Sequence, residues 1–133
     1  MKRNIDLGIL IIRISLGVLM LLHGSAKLLY GLDFIKGMLA HAGLPSFIAY
    51  GVIVGEVIAP VVIIIGFRAR IGSALYAINC IFAILLGHSA DLFTFNQFGG
   101  WTVELLGLYL FGSIALFFTG AGRYSVSSTS NWD

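Results

Sequence analysis

Charge is the scarcest property of this sequence. Asp, Glu, Lys and Arg together make up 11% of its 133 residues, under half the share of about 25% that wets the surface of a soluble domain. That shortage excludes an ordinary soluble enzyme. The single cysteine, Cys80, excludes an internal disulfide framework and any dithiol chemistry carried by this chain alone. Eight Lys and Arg stand against six Asp and Glu, a balance too even for a polyanion surface, so no nucleic-acid partner is expected. No CxxC, haem-attachment CxxCH, phosphate-binding loop or Ser-His-acid signature occurs. What fills the chain instead is apolar: 59% of its residues, with a mean hydropathy of +1.00.

Four apolar runs stand out, at about 7–29, 47–67, 71–87 and 101–118. Each reaches across a hydrocarbon core of about 30 Å at 1.5 Å per residue, the third only just. Helix is the expected state, because backbone amides in lipid must be paired within the segment. Barrel strands would alternate, and Leu19-Met20-Leu21-Leu22 and Val61-Val62-Ile63-Ile64-Ile65 do not. The predicted fold is all-α: a polytopic membrane protein with four transmembrane helices in an antiparallel bundle, one domain over 1–124. Breaker residues over 37–46, including Gly43-Leu44-Pro45, precede the second run, and Gly66-Phe67-Arg68-Ala69-Arg70 is a tight hairpin that makes runs two and three neighbours. The polar tail 125–133 has no apolar period and is expected to be disordered.

Sidedness follows from the cations. Lys2, Arg3, Arg68, Arg70 and Arg123 fall on one side of four alternating spans, and Lys27 and Lys36 on the other. Five against two predicts both termini in the cytoplasm. Lys2 and Arg3 before an apolar run resemble a signal peptide, but Asp6 and Arg13 stand where such a segment is uncharged, so no processing is expected.

Ionisable groups inside apolar runs carry the functional information. Each costs about 2.5–3.5 kcal/mol at mid-bilayer on the mildest scale, so such groups face a bundle interior or wet cavity and have partners. The candidates are Arg13, His23, Lys27, Glu56, His88 and Glu104. At about 100° per residue, Arg13, Gly17, Met20, Gly24 and Lys27 form one stripe on the first helix. Its glycines admit a neighbouring helix. The fourth run has a stripe of Glu104, Gly107, Phe111 and Ala115. By depth, Arg13 and Glu56 are expected to form a structural ion pair, and His23, Lys27, His88 and Glu104 an outer polar cluster. Simpler roles stand beside these: a register-fixing pair, a Lys27 that snorkels to headgroups, a His88 that ends a helix, a Glu104 that answers a helix dipole. Cys80 reads as a small core residue, Trp101 and Tyr124 as interfacial belt residues. Two histidines with Glu104 lack any tight ligand spacing, so no metal site is expected.

Arg13-Ile14-Ser15-Leu16-Gly17, His23-Gly24 and Lys27-Leu28 look like the first-helix signature of the DoxX family. Gly43-Leu44-Pro45, Glu56, Gly66 with Arg70, Gly99-Gly100-Trp101 before Glu104, and Gly120-Ala121-Gly122-Arg123 follow in its order, from about Asp6 to Tyr124. One departure is Ala59-Pro60, where glycine-rich sequence often follows the glutamate; it is expected to kink the second helix beside Glu56. The resemblance implies a four-helix, multi-pass protein of the bacterial inner membrane associated with respiratory or sulfur redox chemistry. Relatives include a membrane subunit of a thiosulfate:quinone oxidoreductase and proteins grouped with membrane-associated oxidoreductase complexes.

Three functions remain open on these residues. The first is a quinone-linked redox component, in which Lys27 or His23 donates to a quinone carbonyl and Glu104 or His88 relays protons. With no flavin, haem or iron–sulfur motif, its electrons come from a redox partner protein or a substrate. The second is a non-catalytic scaffold or assembly subunit built on the glycine stripes. The third is a small-solute carrier, which would have to form a homo-oligomer to enclose enough volume. Membrane lipids surround the chain in every case.

Overall fold

The computed structural model describes residues 4–133. Helix α1 spans Ile5–Tyr30 and is capped by the Asn4 side chain, which accepts from the Leu7 amide at 3.0 Å. A short helix α2, Asp33–His41, follows at once. The second span opens with a 3₁₀ turn at Ser46–Ile48 and continues as α3, Ala49–Ile53. It widens into a π turn at Val54–Ile58 and resumes as α4, Ala59–Ile65. Helix α5 is Ala69–Gly87 and α6 is Glu104–Thr119. The spans centred on α1, α3–α4 and α5 are each long and apolar enough to cross a membrane, and α6 is a shorter apolar helix. The chain is thus the all-helical, polytopic membrane protein expected.

Side-chain placement is that of a protein in lipid. Leu22, Leu85 and Phe118 face outward at 62–72% exposure, while Arg13 is 1% and Glu56 5% exposed. The bundle closes as a ring: α1 packs on the second span, that span on α5, α5 on α6, and α6 back on α1. Met20, Ala59, Ile63, Tyr76, Cys80, Tyr109 and Leu116 form the core between them. Cys80 is buried there.

Two glycines set the register of the first two spans. A Cβ at Gly24 would run into the Glu56 carbonyl, and one at Gly17 into the Ile64 side chain. Gly24 therefore lies level with Glu56, and Gly17 level with the middle of α4. The stripe read on the first helix is its packing face: Arg13, Gly17, Met20 and Gly24 are its buried residues. The stripe read on the fourth is not. Helix α6 buries Gly107, Tyr109, Ser113 and Leu116, while Phe111 points out at 62% exposure.

The π turn has a cause in the sequence. Pro60 has no amide hydrogen to give the Glu56 carbonyl, and its ring crowds that carbonyl in a regular α-helix. Widening the preceding turn relieves the crowding, and the Ala59 amide bonds Val54 instead. The expected disturbance at Ala59-Pro60 thus takes the form of a π turn that carries Glu56.

Two features depart from expectation. The 31–45 region holds α2, whose Leu39 is buried with Leu32 and Ala49. The tail 125–133, expected to be disordered, is docked. Asp133 accepts from the amides of Arg68, Thr129 and Ser130 and from the Ser127 hydroxyl. The Val126 amide bonds Ile65, and the Trp132 carbonyl accepts from Arg70. The tail lacks an apolar period, and hydrogen bonds hold it instead. Asp6, Arg70 and Arg123 gather at this same end of the bundle, where Asp6 accepts from the Arg123 amide at 3.0 Å. Lys2 and Arg3 lie outside the described residues.

Candidate functional site

The expected Arg13–Glu56 pair does not form. Arg13 is instead bound entirely by backbone. Its Nε donates to Ile63 O at 2.9 Å, Nη2 to Ile64 O at 2.7 Å, and Nη1 to Ala121 O at 2.6 Å and Tyr124 O at 2.7 Å. The first two acceptors are last-turn carbonyls of α4: Ile63 O is shared with the Gly66 amide at 3.1 Å, and Ile64 O is one that no helical amide reaches. Gly66 ends α4 in the left-handed region, at φ 71°, and a Cβ there would strike the guanidinium. Helix register explains the mismatch with expectation. Glu56 is level with Gly24, eleven residues or about 16 Å along α1 from Arg13, beyond an arginine's reach.

One turn from Gly24 stands Lys27, and its ammonium pairs with Glu56 Oε1. The Asn79 amide on α5 donates to the same oxygen at 3.4 Å. The second oxygen, Oε2, is buried and has no partner among the described residues. A buried acceptor left so costs about 1–3 kcal/mol. The π turn carrying this carboxylate is gripped on both flanks: Gly24 admits its backbone to α1, and a Cβ at Gly55 would overlap Asn79.

Glu56 and Lys27 line a cavity of about 420 Å³ with His23, Asn79, His88 and Tyr109. His23 Nδ1 lies 3.0 Å from Leu19 O. A carbonyl can only accept, so Nδ1 carries the proton and Nε2 of the neutral ring is left to accept. The ring stands edge-on to Tyr109, at 6.1 Å between centroids, and Tyr109 stands edge-on to Tyr76 at the same distance. The Tyr76 hydroxyl donates to Leu16 O at 3.1 Å. His88, at the end of α5, holds Asp91 at 3.3 Å and is about half exposed. It joins the chamber to the surface.

The sequence-predicted cluster is therefore assembled with one substitution. His23, Lys27 and His88 share a cavity, but Glu56, not Glu104, is the carboxylate among them. Glu104 is exposed and turned toward the Asn96–Gly100 turn; a Cβ on Gly100 would lie 2.7 Å from its Oε2. The helix itself imposes this. Tyr109 faces the chamber, and five residues of α-helix rotate Glu104 about 140° away from it. Asn79 and Tyr109 went unread in the sequence. Asn79 was detectable as the one amide inside the third apolar run, since an uncharged polar group in lipid also needs a partner. Trp101 is tied down by its indole, which donates to Leu92 O at 2.7 Å, and it packs on Gly107. Among the described residues no three His, Cys, Asp or Glu side chains cluster as metal ligands would.

The DoxX family model matches residues 8–89. That stretch contains Arg13, His23, Lys27, Glu56, Asn79 and His88, and it stops before Glu104. A Bacillus subtilis (strain 168) protein named "Putative oxidoreductase CatD" is 32% identical over 85 residues, which is 64% of this chain and 63% of that protein. The match spans less than two thirds of the relative's length. No solved structure matches the chain.

Proposed function

The chain belongs to the DoxX family, and from that premise we propose that it is a quinone-linked component of a membrane oxidoreductase system, with its quinone site at Glu56 and Lys27. The observation that carries this reading is the bare Glu56 Oε2 beside an ammonium donor, both lining one cavity. An oxidised quinone presents only acceptors, which suit Lys27. The reduced form presents hydroxyl donors, which suit Glu56 Oε2. One donor and one acceptor side by side can hold both forms. The name of the Bacillus relative agrees with redox chemistry.

Reduction of a quinone to a quinol takes two electrons and two protons. The electrons come from a reduced redox partner protein. This chain supplies the binding groups and the protons: Lys27 and Glu56 hold one next to the chamber, and His88 with Asp91 links the chamber to water. In its neutral form His23 offers Nε2 as a further acceptor on the cavity wall. Glu104, turned away, has no part in it.

The same reading places the chain in the bacterial inner membrane with the Arg68, Arg70 and Arg123 end in the cytoplasm. Ser128→Cys should then be labelled by a membrane-impermeant thiol reagent only from the cytoplasmic side, with buried Cys80 unreactive. Labelling from the outside would invert the topology.

Quinone recovered by mass spectrometry from detergent-purified protein tests the site. Wild type should retain it, and a folded Glu56→Gln/Lys27→Met double variant should not. Equal quinone recovery from both proteins would remove the assigned site.

A further inference from the structure

The polar chamber continues on one side into an apolar groove. A second cavity, of about 310 Å³, lies between the second span and α5, and Ile35, Val52, Asn79, Phe82 and Leu86 line both. No ionisable side chain lines the groove. Its outer walls include Val54, Leu75 and Ile78, which are 36–55% exposed on the lipid-facing surface. The groove therefore runs from the acyl-chain region to the chamber that holds Glu56. Asn79 stands at the join, its amide on Glu56 and its side chain against Gly55.

Gly51 forms part of this opening. It lies within α3 on the groove wall, and a Cβ there would meet no atom within 4 Å. Gly17, Gly24 and Gly55 each have a neighbour that forbids a side chain. Gly51 has none: it is exposed on the groove wall, and a poor helix former there leaves that wall without a side chain.

We propose that this groove is the lipid-side portal of the chamber, and that it holds the head-proximal polyprenyl chain of a quinone whose ring lies at Glu56 and Lys27. The proposal rests on the quinone reading above and adds the route and the chain site. A polyprenyl chain gains no hydrophobic free energy on leaving lipid for this groove, because acyl tails are equally apolar. The groove selects by shape and direction, and blocking it should exclude the chain without touching the ring site.

The test uses Gly51→Leu in lipid nanodiscs, with Ile78→Trp as a second blocking variant on the opposite wall. Binding is measured by equilibrium retention for two probes with one ring: a quinone carrying several isoprene units, and its tail-less analogue. Concentrations are referred to the bilayer. Both blocking variants should lose about tenfold or more in affinity for the tailed probe, since chain and new side chain compete for filled space. The tail-less probe should change by less than about twofold, and Gly51→Leu should unfold no earlier than wild type. Glu56→Gln should weaken both probes.

Undiminished affinity for the tailed probe in both blocking variants would overturn the portal and leave the ring site standing. An equal loss of both probes would also overturn it. Phospholipid that co-purifies with wild type and is lost from Gly51→Leu, with tailed-quinone affinity unchanged, would assign the groove to an acyl chain instead. Failure of wild type to bind either probe would remove the ring site and the portal together.

Discussion

Arg13 and Glu56 are both charged, both almost fully buried and both in spans of the same small bundle, yet their surroundings differ. The Arg13 guanidinium donates to four carbonyls, from α4 and from the segment after α6, in a region that lines neither cavity. Glu56 has one oxygen shared by Lys27 and Asn79, a second oxygen with no partner among the described residues, and an open chamber beside it. A buried charge whose valences are saturated by its own fold acts as a staple. One left half-satisfied next to space keeps capacity for a ligand, at a cost in stability that the fold carries elsewhere. In a membrane protein the partner count and the adjacent volume separate the two, because the presence of charge alone is shared by both.

The contrast can be broken by mutation, and the largest effect is expected at the staple. Arg13→Leu leaves the Ile64, Ala121 and Tyr124 carbonyls without donors and should cost at least about 3 kcal/mol. It should lower folded yield and the detergent unfolding temperature. Arg13→Lys should recover only part of that, because one ammonium cannot reproduce a guanidinium fork. An Arg13→Leu protein as stable as wild type would end the distinction.

At the site the ordering reverses. Glu56→Gln keeps the shape and should destabilise by only about 1 kcal/mol. It should reduce quinone-dependent turnover by roughly a hundredfold, the lower end of what a positioned proton-transfer group contributes. A variant that unfolds like Arg13→Leu yet turns over normally once folded would show Glu56 to be a second staple. Glu104→Gln sharpens the comparison from the other side. Exposed and outside the chamber, it should shift stability by no more than about 0.5 kcal/mol, with turnover unchanged in the same assay.

The smallest effect concerns the docked tail. The Ser127 hydroxyl first, then the Ser130 amide and Arg68, hold the Asp133 carboxyl below the usual carboxylate range. A carboxylate with a depressed folded-state value stabilises fully above its unfolded value, and that contribution fades as pH falls through the lower one. Tail docking should therefore be constant from neutral to mildly acidic pH and loosen only in strong acid. Cleavage of the tail by an acid-active protease should rise there, and Asp133→Asn should be cleaved readily at every pH at which that protease works. A tail equally protected in both proteins would show that Asp133 does not hold it.

Much of this was legible beforehand, for local reasons. The spans follow from run length and from the backbone's need for internal hydrogen bonds in lipid. The packing face of α1 follows from 100° of rotation per residue applied to Arg13, Gly17, Met20 and Gly24. His23, Lys27 and His88 were placed together by depth and do share a chamber. The failures at the site are questions of partner. Glu56 was assigned to Arg13 by approximate height, and Glu104 to the cluster without regard to Tyr109 on the opposite side of its helix. Asn79 was passed over because it bears no charge, although it is the third member at Glu56. The amphipathic α2 was hidden behind breaker residues that in fact follow it.

Composition and periodicity were sufficient to establish a helical membrane bundle whose deepest ionisable groups, Arg13 and Glu56, turn inward, because lipid penalises an exposed charge regardless of where the helices end up. Which inward groups meet depends on axial register, and register is set where a helix can approach another most closely. Here Gly24 against the Glu56 carbonyl, and Gly17 against Ile64, slide Lys27 onto Glu56 and leave Arg13 to the carbonyls at the end of α4. A contact between two backbones is a property of the packed pair, so only the tertiary structure could decide which charge became the staple and which the site.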